Sequence, residues 1–356
     1  MNAPLPAFDW EGGWFSKPGP EHDVVLSSRV RLARNLADSA FPGKMSDEEQ
    51  AEFESIVTPV LEQYFPYPAW YTVDMDMLAA QQRHLLRERN LLASNDALAR
   101  PFLLIARADE QALLSVNTHD HFHLTGLRSG FDLQSAFADA KEVEAPLENE
   151  LRFAVNMEFG YLTVDVDNCG TGLRASVLMH LPGLAAMDAI QRVFGELLFD
   201  RFRVKGFLSS QSESLGHVYQ ISNKESLGKS EEALIRELEG AVGELLLLER
   251  AARTQLLQGR TARTRERFRR AWEMLTEANA LSAEAALTGL LEIRFGVSSG
   301  MIEDVALPKV TALLFQVQKC HILERVAGHE NDVDVDAERA DLVRQILGGR
   351  LKQRGR

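Results

Sequence analysis

Cysteine is scarce, with only Cys169 and Cys320 in 356 residues. Two thiols cannot build a disulfide framework, and neither stands in a Cys-x-x-Cys or Cys/His pattern of zinc-ligand spacing. Both read as reduced thiols, and no metal site is expected from protein ligands. Long apolar runs are missing too. The longest, such as Glu244 to Glu249 with four leucines between, fall far short of the roughly 20 residues that span a bilayer. The first six residues, Met1 to Pro6, lack a basic segment followed by an apolar one. These absences lead us to expect a cytoplasmic protein without membrane attachment. Positive charge is in deficit: 39 Lys and Arg against 52 Asp and Glu give a formal net charge of −13. Such a surface repels a phosphate backbone, so general nucleic-acid binding is not expected. Walker A and strand-linked Gly-x-Gly-x-x-Gly sequences are also absent, so any ATP site must be of another kind. Internal repeats and low-complexity tracts are not evident.

What is there is a chain long enough for one large domain and a smaller one. A mixed αβ part, 1–255, precedes a helical part, 256–356. In the first, Ser46 and Glu49 form a capping box that opens an amphipathic helix. Phe102 to Ala106, Ala112 to Val116, Tyr161 to Val166 and Arg203 to Leu208 read as strands, the first pair joined by the turn-forming Ala108 to Gln111. Helices are expected over Ala186 to Phe202 and Ser230 to Leu257. Short turns between neighbouring strands imply a largely antiparallel sheet flanked by helices, an α+β fold. In the second part, apolar residues at three- and four-residue spacing predict helices over Thr264 to Ala278, Ser282 to Phe295, Lys309 to Val326 and Asp336 to Leu347. The arginine-rich stretch Arg250, Arg253, Arg260, Arg263, Arg265, Arg267, Arg269 and Arg270 reads as a solvated helix face between the two parts.

Three segments carry chemistry. In Val24 to Asn35, Arg29, Arg31 and Arg34 punctuate apolar residues, and the period of two puts Arg29 and Arg31 on one side of an extended segment. Adjacent guanidinium groups repel unless an anion lies between them, and their planar forks match phosphate; a surface salt-bridge pair is the other reading. Asp167 to Pro182 is a glycine-bearing loop that runs into an apolar segment, with Arg174 at its start. Glycines there let backbone amides approach an anion. Lys205 to Gly216 is a polar loop, able to fold over a substrate, followed by Val218 to Asn223.

Together these pieces resemble the ATP:guanidino phosphotransferases, or phosphagen kinases, in the branch of the bacterial protein-arginine kinases of McsB type. The resemblance rests on Ser27 to Asn35 with Phe41 and Pro42, Gly160 to Thr163, Asn168 to Ser176, His180 to Pro182, and Tyr219 to Asn223, in order and spacing, over residues 24–255. It is looser beyond, at Ile293 to Val297 and Arg339 to Arg344. It implies a glutamine synthetase-like catalytic domain followed by an all-α domain. It also implies ATP with Mg2+ as cofactors, and transfer of the γ-phosphoryl group to a guanidinium nitrogen by positioning and charge stabilisation. Partners it suggests are a protein substrate or adaptor and a chaperone or protease complex; homo-oligomerisation is left open.

Carried over residue by residue, the resemblance assigns nucleotide contacts to Ser27, Ser28, Arg29, Val30 and Arg31, and to Arg174, Ala175, Ser176, Val177 and Leu178. Lys205 stands where the family has a fourth phosphate-binding arginine, and His123 where it has a fifth. The guanidinium side departs further. His119, in Asn117 to His121, and Ser210 occupy the positions of two catalytic glutamates, and Asp165 occupies that of a cysteine near the substrate. A guanidinium with a pKa above 12 needs anions to align it and a base to take its proton. Loss of a general base costs roughly 100- to 10,000-fold. The expectation is an impaired, kinase-like protein. Two alternatives are kept: a kinase with relocated carboxylates, with Asp165 foremost and Asp120, Asp167 and Glu213 in the same motifs, and a non-enzymatic docking protein. In the second part Asp336 is expected to cap a helix, and the arginine that precedes it in phosphoarginine-binding relatives is Val335 here.

Overall fold

The computed structural model describes residues 13–92, 103–207, 214–326 and 333–348. Among them, ten strands run in chain order as β1 (Val25–Arg34), β2 (Trp70–Asp74), β3 (Leu103–Arg107), β4 (Ala112–Val116), β5 (Phe122–Ser129), β6 (Val155–Asn156), β7 (Gly160–Tyr161), β8 (Leu173–His180), β9 (Phe202–Gly206) and β10 (Val218–Asn223). Eight of them form one sheet, ordered β2-β3-β4-β5-β1-β8-β10-β9; β6 and β7 form a separate hairpin. Every neighbouring pair is antiparallel. The helices are α1 (Asp47–Tyr64), α2 (Ala80–Glu88), α3 (Leu133–Glu150), α4 (Pro182–Ala186), α5 (Ile190–Leu197), α6 (Glu231–Glu277), α7 (Ala283–Ser298), α8 (Leu307–Gln316), α9 (Lys319–Arg325) and α10 (Val335–Leu347). No helix among the described residues is long and apolar enough to cross a membrane.

The period of two in β1 sorts the molecule into layers. Val30 and Leu32 point into a core shared with Ala175, Val177 and Ile221 of the neighbouring strands, with α3 and with the first half of α6. Here α3 lies so close to the sheet that a Cβ on Gly126 would stand 1.8 Å from the carbonyl oxygen of Ala136, so this strand position requires glycine. On the opposite face, Leu127 and Leu178 join a second core with Trp272, Leu290, Leu313 and Val343 from the helical region. That second core covers only one end of the face. The other end carries Arg31, Thr125, Arg174 and Ser222.

Elements follow local chemistry where the signals are strong. Ser46 and Glu49 make the expected capping box on α1, and Phe53, Val57 and Leu61 are its buried stripe. Four expected elements are corrected. Tyr161 to Val166 is not a strand: only Gly160–Tyr161 pairs, and Val166–Asn168 is a short turn of 3-10 helix. Ala186 to Phe202 is interrupted at Asp188, whose φ of +55° lies outside the helical region. Lys309 to Val326 is two helices, α8 and α9. Ser230 to Leu257 and Thr264 to Ala278 are one helix, the 47-residue α6, so residue 255 falls inside a continuous element. The arginine-rich stretch lies along this helix. Arg269 and Arg270 pair with Glu266 on an exposed face, as expected, but Arg253 is buried against Glu249 and Arg267 reaches across to Glu292 of α7, so the solvated-face reading is corrected for that part of the stretch.

The end of the sheet's second face nearest the helical region is held by polar contacts. Arg294 of α7 is fully buried and donates to the carbonyls of Asp23 (3.2 Å) and His22 (2.6 Å) and to His180 Nδ1 (3.0 Å). Burial, reinforced by nearby Arg253, pushes its pKa down to about 9. Arg253 joins Glu249, whose carboxylate also accepts the Gly183 and Leu184 amides at the start of α4.

Candidate functional site

Antiparallel register carries side chains across the open face from strand to strand. Arg31 of β1 stands opposite Arg174 of β8 on one side and Thr125 of β5 on the other. Arg29 stands opposite Ser176, Ser176 opposite Ser222 of β10, and Ser222 opposite Arg203 of β9. Lys205, two residues along β9, faces Gln220, whose side-chain amide donates to Ser176 Oγ at 3.1 Å. Four arginines and a lysine therefore share one face with four hydroxyl or amide side chains.

Among the described residues Arg31 and Arg174 have no carboxylate partner, whereas Arg203 does. Arg174 is half-buried, and its Nε and Nη2 lie 3.4 and 3.3 Å from the Asn168 amide oxygen. Its pKa is lowered first by burial and then by the charges of Arg31 and Arg203, against the opposing pull of Asp165 and Asp167. Arg29 donates to the Asn90 carbonyl beyond the end of α2. Arg203 pairs with Asp167.

The structure divides the remaining expected contacts. The side chains of Val30, Ala175 and Val177 lie on the helix-covered face, in the core, and Leu178 packs against the helical region, so none of these four side chains lines the open face. Ser28 is buried and ties β1 to the following loop, donating to Gly130 O (2.9 Å) and accepting from Asp132 N (3.0 Å). Ser27 and Ser176 are buried, on the cationic face. His123 lies in that face too, but beyond the arginines. Its ring nitrogens meet Thr118 Oγ1 at 3.0 Å and Asp120 Oδ2 at 3.1 Å.

Asp120 organises the other rim. Its Oδ1 accepts from Asn35 Nδ2 (2.6 Å) and from Val164 N (2.9 Å), so one carboxylate joins the end of β1, the β4–β5 turn and the segment before β8. Burial alone would raise this carboxyl, but the hydrogen bonds from His123, Asn35 and Val164 outweigh it and hold it below the usual carboxylate range. His119 precedes Asp120 and is exposed; Asp165 follows Val164 and is exposed, its carboxylate accepting from Asp167 N at 3.2 Å. Asp120 thus brings the His119 and Asp165 segments to one rim. Ser210 and Glu213 lie outside the described residues.

This cationic sheet face and the pinned β4–β5 turn sit on a chain that matches the family described as ATP:guanido phosphotransferase, C-terminal catalytic domain, over residues 52–252. The chain belongs to that family. Residues 242–355 match the description protein-arginine kinase McsB C-terminal domain. The protein-arginine kinase of Symbiobacterium thermophilum is 35% identical over 347 residues, covering 95% of this chain and 97% of that protein. That of Halothermothrix orenii is 32% identical over 336 residues, covering 94% and 96%. Among solved structures, the duplicated taurocyamine kinase of Schistosoma mansoni with bound transition-state analogue components aligns with a TM-score of 0.58 at 23% identity, over 70% of this chain and 36% of that one. A lombricine kinase aligns at 0.55 and 22%, over 70% and 72%. At these identities the structures establish the guanidino kinase fold alone.

A family of ATP-dependent phosphotransferases implies ATP, and the residues present fit its phosphates: guanidinium forks and hydroxyls converge on one face with few acids among them. No group of three or more His, Cys, Asp or Glu able to hold a metal ion occurs among the described residues. Mg2+ commonly binds through substrate phosphates and only one or two carboxylates, and with Asp167 paired to Arg203, Asp165 is the acid beside Arg174 that fits this role. Arg203 is the site residue that sequence reasoning missed. The available signal was its spacing of two from Lys205 on a strand.

Proposed function

We propose that this protein-arginine kinase-like member binds the phosphates of ATP on the cationic sheet face and transfers phosphate to arginine weakly or not at all. One observation carries this reading: the phosphate side is built from Arg29, Arg31 and Arg174 on one face, while an exposed His119 stands at the rim position where the resemblance calls for a glutamate. A neutral imidazole attracts a guanidinium weakly, and a protonated one repels it. Ser210, at the second such position, offers a hydroxyl in place of a carboxylate. ATP with Mg2+, when bound, would supply the transferable phosphoryl group and neutralise part of its charge. Arg31 and Arg174 would orient the phosphates, and Asp120 would hold the rim in shape.

The test is incubation of the full chain with ATP, Mg2+ and an arginine-rich protein, followed by mass spectrometry under conditions that preserve acid-labile phosphoarginine. We expect ATP binding by calorimetry and no product above background. Abundant phosphoarginine that disappears in Arg31→Ala would overturn the reading. A second reading, transfer supported by Asp165, is favoured by the exposure of that carboxylate on the same rim as His119. It requires product in the wild type and its loss in Asp165→Asn.

A further inference from the structure

The resemblance leaves the phosphate clamp short of two guanidinium groups, with Lys205 and His123 in their places. The open face nevertheless holds an arginine beyond those the resemblance assigns. Arg203 lies on β9 two residues before Lys205, and both are exposed. A strand's period of two points them to the same side. Register places Arg203 opposite Ser222, and Ser222 opposite Ser176, the neighbour of Arg29. Two strand spacings, roughly 10 Å, separate β9 from β8, a span that two arginine side chains reaching toward each other close.

The turn Val166–Asn168 confirms that they do converge. Its Asp167 pairs with Arg203, and the next residue, Asn168, holds Arg174. Consecutive residues of one short turn thus seat two guanidinium groups side by side. Arg31 stands directly across from Arg174, and among the described residues no carboxylate pairs with Arg31 or Arg174. Three guanidinium groups around one locus, with a single acid engaged, leave an excess of positive charge on a protein whose net charge is −13.

We propose that Arg203 is a phosphate-binding residue of this chain, supplying from β9 the guanidinium fork that Lys205 lacks, with Asp167 as the internal anion that ATP displaces from it. The proposal rests on the nucleotide reading above and adds to it a residue and a competitor. In this proposal Arg203, set apart from Arg31 and Arg174 by β10, is assigned to the end of the polyphosphate away from the nucleoside, so its contribution depends on the number of phosphates. Asp167, paired with Arg203, would compete with phosphate for that guanidinium and so oppose binding.

The experiment is titration calorimetry of the full chain with ATP, ADP and AMP, each with Mg2+, on wild type and on Arg203→Ala, Arg203→Lys, Asp167→Asn and the double variant Arg203→Ala/Asp167→Asn. A charged hydrogen-bonding pair lost from the clamp corresponds to about tenfold or more in affinity. Arg203→Ala is expected to weaken ATP by about that factor, ADP less and AMP hardly at all, with Arg203→Lys in between. Asp167→Asn is expected to tighten ATP binding several-fold, and this gain should vanish in the double variant. Unchanged ATP affinity in Arg203→Ala, alongside loss in Arg174→Ala, would make Arg203 a surface ion pair and overturn the proposal while leaving the nucleotide reading intact. Equal weakening of ATP and AMP with a lowered melting temperature would assign Arg203 a structural role and overturn it as well. Absence of ATP binding in the wild type would remove both.

Discussion

His121 is a histidine that the fold keeps neutral. Its ring stacks on Phe53 at 4.7 Å between centroids, Nδ1 lies 3.1 Å from the Leu36 amide it accepts from, and Nε2 therefore carries the proton toward Ala40 O at 3.1 Å. Burial pushes its pKa down to about 4, from 6.5. Above about pH 6.5 both folded and unfolded chains carry this ring neutral. Between 6.5 and 4 only the unfolded chain takes up the proton, so stability is lost as pH falls through that window, by up to about 3 kcal/mol. Fully buried His180, also lowered, acts with the same sign. Urea denaturation of wild type and His121→Gln should therefore show a shallower decline from pH 7 to 5 in the variant; parallel declines would clear His121 of the effect. Residues of this kind mark the limit of reading from sequence. Arg29, Arg31 and Arg34 look alike in the chain, and alternation separates the first two correctly. That Arg34 is instead a buried anchor, bonded to Glu144 at 2.5 Å and to Glu231 at 3.0 Å beneath the Tyr161 ring, depends on partners 110 and 197 residues away. Asp336 was expected to cap α10, yet Asp334 accepts the Asp336 and Ala337 amides and Asp336 pairs with Arg339. Two aspartates two residues apart differ too little in local signal to choose between.

At the scale of elements, Gly216 shows how the helical region reaches the turn that leads into β10. It sits in the turn Leu215–His217 that leads into β10, with φ of +57°, and a Cβ there would stand 2.3 Å from Leu291 Cδ1 of α7. Both the left-handed conformation and the close approach call for glycine. Gly216→Ala is expected to cost about 2 kcal/mol or more through overpacking and backbone strain. Adding Leu291→Ala should return part of it, leaving a favourable coupling energy in a double-mutant cycle of urea midpoints. Strict additivity would mean that the turn and α7 are not in contact. The same element scale explains the main misreading of secondary structure. The two helices expected over Ser230 to Leu257 and Thr264 to Ala278 leave a gap that contains Gly259, a residue type that costs a helix about 1 kcal/mol. Packing overrides that local penalty: Leu245, Leu246 and Ala252 before it and Phe268, Trp272 and Leu275 after it are all buried. Capping boxes and alternation, being local, were legible; helix continuity, decided by what lies on each flank, was not.

Across the whole molecule, the two cores meet through shared parts. The first half of α6 belongs to one core and the second half to the other, while β1 and β8 contribute to both through their two faces. Arg294 and Arg253 bind backbone carbonyls at His22, Asp23 and His180 from the helical side. A chain so connected should unfold as a unit. Calorimetry on the full chain is expected to give one transition with equal calorimetric and van't Hoff enthalpies. A separate, earlier melting of the region after residue 280 would show that the cores are independent.

The continuous helix also sets a rule of phase. Each residue along it advances about 1.5 Å and turns about 100°. One residue inserted near Gly259 would therefore rotate Phe268, Trp272 and Leu275 about a quarter turn away from the faces they fill. The two family regions, whose matches overlap at 242–252, share α6 like two gears keyed to one shaft. Exchange of C-terminal regions between relatives is open only to splices that keep the helical count, so the spacing across the rod is as much a part of this protein's specification as the residues at its ends.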